Sequence, residues 1–345
     1  DFNADGKTDL AVGAYGYSTS TGRAYVFYNG SITTENASGA DIIITGEVGS
    51  DAFGKRISSG DLNADGKTDL VVGASGYSSS SGRIYVFNND GSYPTGAGSA
   101  DTFITGASNK RIGGAGLLTA DLNADGKIDL AAGSTDPGGG WSYVHIFYND
   151  GSYPTGVGSS DVTISDDLTQ DFGAALAAGD FNTDGRVDLA VGGTYFSGGS
   201  YGHAFIFWND GSYPTTRATA DINIRAEATS DSFGQSLVAG DFNADGKTDL
   251  AVGAYGVTTN TGKAYIFHND GSSFGTVTCT TDCLAANADV IITGETTSNY
   301  FGAALVSGDF NADGRTDLVV GAYGNSTNTG KIYFYETREN FAWTL

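Results

Sequence analysis

The chain has 345 residues, with 53 glycines and only 4 prolines, and its formal net charge at pH 7 is −23. A nucleic-acid partner is not expected, because phosphate binding requires a basic surface. The sequence also contains no apolar run of membrane-spanning length and no helical apolar periodicity over three turns.

One segment recurs along the chain. It reads DFNADGKTDL at residue 1 and returns in closely similar form at residues 61, 121, 180, 241 and 309. A period of about 60 residues indicates one repeated structural unit that packs against its own copies, and not a series of unrelated domains. We therefore predict one domain, residues 1–345, built from six repeats.

Each repeat contains four short strand patterns, which the fifth repeat shows in chain order. SFGQSLVAGD is strand A, the acidic segment follows, LAVGAYG is strand B, KAYIFHND is strand C and ADVIITGE is strand D. Four antiparallel strands repeated radially are typical of a β-propeller blade. The prediction is an all-β propeller of four-stranded antiparallel blades.

The number of blades is open at this point. Residue 1 lies inside the first acidic segment, so the first blade lacks its own strand A, and the last repeat lacks a clear strand D. The final FAWTL aligns with FGAAL at Phe301, which favours six blades with strand A of the first blade supplied by the C-terminus. A fragment of a seven-bladed protein is the alternative.

Aromatic residues alternate along strand C and are predicted to belong to the core, since a period of two indicates one packed face. These residues are Tyr25, Phe27, Tyr85, Phe87, Phe147, Phe207, Tyr265 and Phe267. Strands A and B are rich in Gly and Ala, which suits positions where neighbouring blades converge.

The acidic segment has the pattern Asp-x-Asn-x-Asp-Gly-x-x-Asp, which predicts a calcium site between strands A and B. Side-chain oxygens at positions 1, 3, 5 and 9 and the main-chain carbonyl at position 7 are hard donors that suit Ca²⁺ better than Zn²⁺. About six ions are expected, one per loop. The predicted ligands are Asp1, Asn3, Asp5, Lys7 and Asp9; Asp61, Asn63, Asp65, Lys67 and Asp69; Asp121, Asn123, Asp125, Lys127 and Asp129; Asp180, Asn182, Asp184, Arg186 and Asp188; Asp241, Asn243, Asp245, Lys247 and Asp249; and Asp309, Asn311, Asp313, Arg315 and Asp317.

Two other interpretations of the loop are weaker. A helix–loop–helix calcium site needs Glu at position 12, where this chain has residues such as Val12, Val72 and Ala132, and where a strand is expected. Asp and Asn turns without metal are the second possibility. They leave unexplained why three carboxylates are crowded together in every repeat.

The repeats resemble FG-GAP repeats, the blades of integrin α-subunit propellers and of many bacterial surface proteins. The FG pair is present as Phe53-Gly54, Phe172-Gly173, Phe233-Gly234 and Phe301-Gly302, and GAP corresponds to Gly13-Ala14-Tyr15, Gly73-Ala74-Ser75, Gly253-Ala254-Tyr255 and Gly321-Ala322-Tyr323. The third repeat departs most, with Arg111-Ile112-Gly113-Gly114 in place of FG and Gly133-Ser134-Thr135 in place of GAP. The resemblance implies a propeller with structural calcium outside cells. Because every repeat carries the acidic loop, the likeness is to the bacterial repeats more than to integrins.

Three further features have alternative interpretations. Cys279 and Cys283 suit a small disulfide, which would indicate an oxidising compartment, although two free thiols are the alternative. The motif NDGSYPT presents Tyr93, Tyr153 and Tyr213, which could bind sugar or pack on the edge of their own blades. The histidines His145, His203 and His268 occupy different repeat positions, and no catalytic set is predicted.

The sequence therefore favours a non-catalytic, calcium-stabilised propeller that is secreted or displayed at the cell surface. Its expected roles are adhesion, protein–protein interaction or assembly, with a protein or glycan partner at a cell surface and possible self-assembly. The alternatives are a multivalent carbohydrate-binding lectin and the non-catalytic module of a polysaccharide-active enzyme.

Overall fold

The computed structural model describes residues 1–29, 37–136, 141–166, 171–194, 201–271, 274–275, 282–324 and 329–337. These residues form six small sheets, called blades 1 to 6 in chain order, in which consecutive strands pair antiparallel. The predicted all-β propeller architecture with six blades is confirmed. No helix among the described residues is long and apolar enough to cross a membrane.

The chain divides into two compact units, Asp1–Thr163 and Ile164–Leu345, and the boundary falls within strand β11. Blade 1 contains β1 (Leu10–Ala14), β2 (Arg23–Phe27) and β3 (Ile42–Thr45). Blade 2 contains β4 (Phe53–Gly60), β5 (Asp69–Ala74), β6 (Arg83–Phe87) and β7 (Thr102–Thr105). Blade 3 contains β8 (Leu117–Ala120), β9 (Asp129–Ser134), β10 (Ser142–Phe147) and β11 (Val162–Asp166).

The later blades repeat the same strand order. Blade 4 contains β12 (Leu176–Gly179), β13 (Asp188–Gly193), β14 (His203–Phe207) and β15 (Ile222–Arg225). Blade 5 contains β16 (Phe233–Gly240), β17 (Asp249–Ala254), β18 (Lys263–Phe267) and β20 (Val290–Thr293), and blade 6 contains β21 (Phe301–Gly308), β22 (Asp317–Ala322) and β23 (Lys331–Tyr335). Blades 1 and 6 thus have three strands each within the described residues, and the C-terminal FAWTL segment lies outside them.

Helical structure is limited to single turns. The segments α1 (Tyr17–Ser20), α2 (Tyr77–Ser80) and α3 (Val257–Asn260) connect strands B and C, and each contains residues with left-handed backbone angles. Five 3₁₀ turns precede strand D, at Ala37–Gly39, Ala97–Ser99, Val157–Ser159, Arg217–Thr219 and Ala285–Asn287. These short turns connect successive strands and do not form a packed helical layer.

The hydrophobic core lies between neighbouring blades. One cluster joins Val71, Ile84 and Val86 of blade 2 to Leu130 and Phe147 of blade 3. The strand C aromatics are core residues as predicted, since all of them except the half-buried Phe27 are buried. Blade 2 therefore has apolar faces that blade 1 and blade 3 cover on its two sides.

Neighbouring blades touch through their backbones at the strand A and strand B glycines. A Cβ added to Gly73 of blade 2 would lie 2.2 Å from the carbonyl oxygen of Gly113 in blade 3. The corresponding distance is 1.9 Å from Gly13 to Gly54 and 2.0 Å from Gly253 to Gly302. Only glycine fits such an approach, which explains the glycine at positions 13, 73 and 253.

The divergent third repeat keeps the same contact between blades. Ile112 is buried and forms a parallel bridge with Gly82, as Phe53 does with Gly22 and Phe301 with Gly262. An apolar residue at this position is therefore sufficient to fill the space, and the loss of the phenylalanine does not change the packing of the blade.

The NDGSYPT segment forms a main-chain hydrogen bond with the preceding blade, a contact that the sequence analysis did not predict. The main-chain N–H of Thr45, at the end of strand D in blade 1, donates to the carbonyl of Thr95 at 3.0 Å. The same bond joins Thr105 to Thr155. In blade 4 a fifth strand, β19 (Asp282–Leu284), takes this place and pairs parallel to β15.

Two glycine-to-alanine variants test the backbone contact. Gly73→Ala should lower the free energy of unfolding by about 2 kcal/mol or more, because Gly113 would have to move. Gly96→Ala should be neutral or stabilising by about 0.5 kcal/mol, because Gly96 has extended angles (φ −134°) and nothing within 4 Å of the added Cβ. Urea denaturation of both variants measures the difference. Equal stabilities would contradict the close approach.

Candidate metal centre in the acidic loops

In the nine-residue acidic loops, the Asp and Asn side chains accept hydrogen bonds from main-chain N–H groups of the same loop. In the second loop Asp61 accepts hydrogen bonds from the N–H of Asp65 through Oδ1 at 3.0 Å and from the N–H of Gly66 through Oδ2 at 2.9 Å. Asn63 Oδ1 accepts from the same Asp65 N–H at 3.0 Å, and Asp65 Oδ1 accepts from the N–H of Lys67 at 2.9 Å. The oxygens of Asp61 and Asn63 therefore lie on one side of the loop.

This hydrogen-bond pattern is the same in all six loops. The position 1 aspartate accepts from the N–H groups at positions 5 and 6 in every copy. The asparagine at position 3 and the aspartate at position 5 also keep their bonds in every copy. Six copies of one geometry indicate one common role.

The loop backbone is left-handed at two positions. Gly66 at position 6 has φ +85°, as the predicted sharp turn requires, and Ala64 at position 4 has φ +58°. The residues equivalent to Ala64 are also left-handed, namely Ala4, Ala124, Thr183, Ala244 and Ala312. A residue other than glycine costs about 1–2 kcal/mol in this conformation. The side-chain hydrogen bonds must offset that cost in every loop.

The loop carboxylates have few cationic partners. The Lys67 ammonium donates to the main-chain carbonyl of Asn89 at 3.1 Å, and the equivalent Lys127 and Arg186 bond Asn149 and Asn209 in the same way. In the fifth loop the Lys247 ammonium does approach Asp245, at 3.6 Å. These three position 7 side chains thus bond the end of strand C and not the loop carboxylates, of which Asp61 is half-buried and Asp65 is exposed.

The donor set fits a hard divalent cation. It consists of oxygen atoms only. Among the described residues, no group of three or more His, Cys, Asp or Glu side chains is positioned to hold a metal ion without rearrangement. An asparagine and a main-chain carbonyl complete the set, as in loops that bind Ca²⁺. Asp61, Asn63, Asp65 and the Lys67 carbonyl are therefore the groups of the second loop that would hold Ca²⁺, together with Asp69.

The aspartate at position 9 has a structural role that sequence reasoning missed. Asp69 Oδ2 accepts the N–H of Leu62 at 2.8 Å, and Oδ1 accepts the N–H of Asn89, at the end of strand C, at 2.7 Å. The same two bonds are made by Asp9, Asp129, Asp188, Asp249 and Asp317. Each position 9 carboxylate thus joins the start of its loop to strand C.

Burial raises the pKa of four of the position 9 carboxylates. Burial raises the pKa of Asp188 to about 6 and that of Asp249 to about 7, although the main-chain N–H bonds act in the opposite direction. Burial raises the pKa of Asp69 and of Asp129 as well. A nearby divalent cation would favour the ionised form.

The asparagine of the NDG turn extends the network to the preceding blade. Asn89 Nδ2 donates to the carbonyl of Phe2, in the first loop, at 2.8 Å, and Asn149 Nδ2 donates to that of Leu62 at 2.7 Å. In blade 6, Thr337 takes this place and its hydroxyl lies 3.4 Å from the carbonyl of Phe242. The first, second, fourth and fifth acidic loops are therefore each linked to the blade that follows.

The three predicted tyrosines lie against the acidic loops of their own blades. The hydroxyls of Tyr93 and Tyr153 donate to the position 8 carbonyls of Thr68 and Ile128 at 2.9 and 2.7 Å, and Tyr213 donates to Val187. Tyr213 is buried, and the other two are half-buried. Their hydroxyls are thus engaged within the protein, and sugar binding by their rings stays a prediction.

The histidines and cysteines form no shared site among the described residues. His145, His203 and His268 belong to blades 3, 4 and 5, and His203 Nδ1 lies 2.7 Å from Asn223 Oδ1 of its own blade. Cys283 is buried on β19, whereas Cys279 lies outside the described residues. The predicted disulfide stays a prediction.

The bracing role of position 9 can be separated from metal binding. Asp69→Asn should lower the free energy of unfolding in EDTA by about 2 kcal/mol or more, because the amide turns an N–H group towards a buried N–H group. Asp161→Asn is the matched control, since the exposed Asp161 accepts one bond, from the N–H of Tyr148 at 2.8 Å. Chemical denaturation should give a smaller loss for the control. A loss at Asp69 no larger than at Asp161 would contradict the bracing role.

Comparisons with known proteins support this description of the repeats. Over 163 residues the chain is 39% identical to integrin alpha-7 of Rattus norvegicus, an alignment that covers 45% of this chain and 13% of that protein. It is 32% identical over 225 residues to the phosphatidylinositol-glycan-specific phospholipase D of Homo sapiens, covering 59% of this chain and 26% of that protein. The chain thus spans about a quarter or less of the length of these two relatives.

Among solved structures, the V. cholerae biofilm matrix protein Bap1 matches with a TM-score of 0.37 and 18% identity, over 79% of this chain and 37% of that chain.

The family models match the same strands and loops that form the blades. The model described as FG-GAP repeat matches residues 1–27, 53–87, 233–267 and 301–335. The model described as FG-GAP-like repeat matches residues 121–191. Together the two models match more than half of the chain, and the chain belongs to the FG-GAP repeat family.

Proposed function

We propose that the protein is a non-catalytic, calcium-stabilised propeller that acts outside the cell or at the cell surface, in adhesion, protein interaction or assembly. The observation that carries this proposal is the repeated acidic loop, whose Asp and Asn side-chain oxygens accept the same main-chain N–H groups in every blade. The loop is also bonded to the interface between blades. Metal binding at the loop would therefore stabilise the fold.

Within each loop, different aspartates have different roles. In the second loop the half-buried Asp61 and the exposed Asp65 supply negative charge, and Asp69 joins the start of the loop to the end of strand C. A bound Ca²⁺ supplies two positive charges that offset the repulsion between these carboxylates. The formal net charge of −23 is consistent with ligand sets that carry cations in the working protein.

Two arguments favour a location outside the cell. Extracellular calcium modules have dissociation constants of roughly 10⁻⁴–10⁻³ M, which extracellular calcium can saturate. The similarity to an integrin alpha subunit over 45% of the chain also supports a role in contacts with other proteins. For this chain, contacts with other proteins are part of the proposal.

The non-catalytic part of the proposal rests on the described residues. The acidic loops use their carboxylates in hydrogen bonds to the main chain, and the three histidines lie in different blades. The similarity to a phospholipase D covers only 26% of that enzyme. In this chain, four segments match the FG-GAP repeat model. A scaffold role explains these features without a reaction centre.

Calcium titration tests the scaffold directly. Ten-fold excess of calcium over the dissociation constant should stabilise the protein by about 1.4 kcal/mol per occupied loop, so calcium should raise the melting temperature strongly relative to EDTA. Asp65→Asn should remove about one equivalent of bound calcium, measured by isothermal titration calorimetry, and part of the gain in melting temperature. No heat of binding and no change in melting temperature at about 10 mM calcium would contradict the proposal.

Asp90→Asn is the matched control for that titration. Asp90 is an exposed aspartate outside the acidic loops, and it accepts bonds only from Ser92 among the described residues. Its replacement should leave both the stoichiometry and the calcium-dependent gain unchanged. A loss of calcium in this variant equal to that in Asp65→Asn would show that the acidic loops are not the sites.

An attachment assay tests the proposed role at cell surfaces. Beads coated with the folded protein should bind to cells of the source organism, or to their extracellular matrix, in calcium. The binding should fall at least about tenfold in EDTA if the calcium-stabilised fold presents the contact surface. Heat-denatured protein serves as the control. Attachment equal to that of the denatured protein would contradict the adhesive role.

A further inference from the structure

A cleft of about 300 Å³ lies between blades 2 and 3. Val86, Asn88 and Thr102 of blade 2 line one side of it. Lys127, Ser152 and Tyr153 of blade 3 line the other side. This volume is at the lower end of the range for small-molecule sites.

The cleft exists because blade 2 departs from the repeat at two positions. Asn88 follows strand C, and its main-chain N–H donates to the first aspartate of the strand D segment at 2.8 Å. The residues that make the same bond in other blades are all larger, namely Tyr28, Tyr148, Trp208 and His268. The residue after that aspartate is Thr102 here and a larger aliphatic residue elsewhere, namely Ile42, Val162, Ile222 and Val290.

The larger residues fill the equivalent space in the other blades. Tyr28 and Ile42 pack against the apolar cluster shared by blades 1 and 2. Trp208 packs against the cluster shared by blades 4 and 5, and Ile222 is buried in it. In blade 2, two apolar contacts are therefore replaced by an amide and a hydroxyl facing a cavity.

The polar groups of the cleft have unused hydrogen-bonding capacity. The side chains of Asn88, Thr102 and Ser152 make no hydrogen bond within the part of the chain that the structure describes. The Lys127 ammonium has three N–H groups and uses one of them on Asn149, at 3.2 Å. A ligand with several hydroxyl groups could satisfy both the donors and the acceptors of this set.

The rest of the lining is mixed, with Leu62, Ala64, Val86 and Tyr153 as its apolar and aromatic part and Asn63 and Asn149 as its polar part. Val86 is buried at 2% exposure, and Tyr153 is half-buried with its hydroxyl bonded to Ile128, so the side chain is held in place. Apolar walls with a few placed polar groups are typical of small-ligand sites. The acidic loops beside the cleft and the net charge of −23 disfavour an anionic ligand.

We propose that the cleft between blades 2 and 3 binds one neutral carbohydrate residue. Asn88 and Thr102 bond vicinal hydroxyl groups from one side, Lys127 and Ser152 bond hydroxyls from the other, and the C–H face of the sugar ring packs on Val86 and Tyr153. This site goes beyond the proposed scaffold function, because it requires only the packing of two adjacent blades.

The chain itself provides the variant that closes the cleft. Asn88→Tyr with Thr102→Ile introduces the residues found at the equivalent positions of blade 1, Tyr28 and Ile42, where the fold accommodates both. Ser92→Ala is the matched control, since Ser92 occupies in blade 2 the turn position that Ser152 has in blade 3 and lies outside the cleft. If the double variant lacks the wild-type circular dichroism spectrum, Asn88→Tyr alone replaces it, because the tyrosine is the larger of the two introduced side chains.

The test is a titration of the full chain with single monosaccharides, followed by the NMR signals of the main-chain amides of Lys127 and Ser152, which line the cleft and are kept in both variants. Glucose, galactose, mannose, fucose and N-acetylglucosamine are the neutral probes, and glucuronic acid is the acidic one. At least one neutral sugar should shift these signals with a dissociation constant on the order of 1 mM. The closed variant should bind it at least about tenfold more weakly, whereas Ser92→Ala should bind it as the wild type does.

Three results would overturn the inference. The first is the absence of any shift with the neutral sugars at about 50 mM, well above the expected constant. The second is equal binding by the closed variant, which would place the sugar elsewhere. The third is binding of glucuronic acid alone, which would assign the cleft to an anion.

Discussion

In every blade of this protein one aspartate carboxylate, buried in blades 2 to 6 and half-buried in blade 1, accepts main-chain N–H groups from two separate segments and joins them. Asp69 is fully buried, and it joins the start of its acidic loop to the end of strand C. Burying a carboxylate is costly unless hydrogen bonds compensate, and here the N–H groups of Leu62, Asn63 and Asn89 supply them. The loop shape, the NDG turn and the approach of the next blade all depend on this arrangement.

The contacts described here between blades join consecutive repeats. Gly73 meets Gly113 through the backbone, and Asn149 reaches the carbonyl of Leu62 in the preceding loop. Glu47 of blade 1 accepts the hydroxyl of Tyr85 in blade 2 at 2.9 Å, a link that Glu227 and Tyr265 repeat in blades 4 and 5. Stability in such an array is approximately a sum of blade and nearest-neighbour terms. A cation held by one loop is therefore expected to stabilise the adjoining interface as well as its own turn.

Much of the fold was predictable because it depends on local patterns. The alternating aromatics of strand C, such as Tyr85 and Phe87, and the Asp-x-Asn-x-Asp-Gly motif predict strands and loops within a single repeat. The Asp69 brace and the bond from Asn149 to Leu62 were not predictable in the same way, since they join residues 20 and 87 positions apart. The left-handed Ala64 was missed because alanine carries no signal for that conformation.

The fifth strand of blade 4 and the cleft of blade 2 were missed for different reasons. Strand β19 has three residues and belongs to the connection before strand D of blade 5, so no periodic pattern marks it. The cleft had a signal in the sequence, because Asn88 and Thr102 are small and polar where the other repeats have larger residues. Comparing repeats position by position for departures, and not only for agreement, would have identified it.

Amide hydrogen exchange with and without calcium tests the coupling between loops and blades most directly. The account predicts that calcium slows exchange at the loop N–H groups of Leu62 and Gly66 and also at Asn89, at the end of strand C. Protection should extend to Asn149 of the next blade, whose side chain bonds the Leu62 carbonyl. Unchanged exchange at all four amides in saturating calcium would contradict the account, as would protection confined to Gly66.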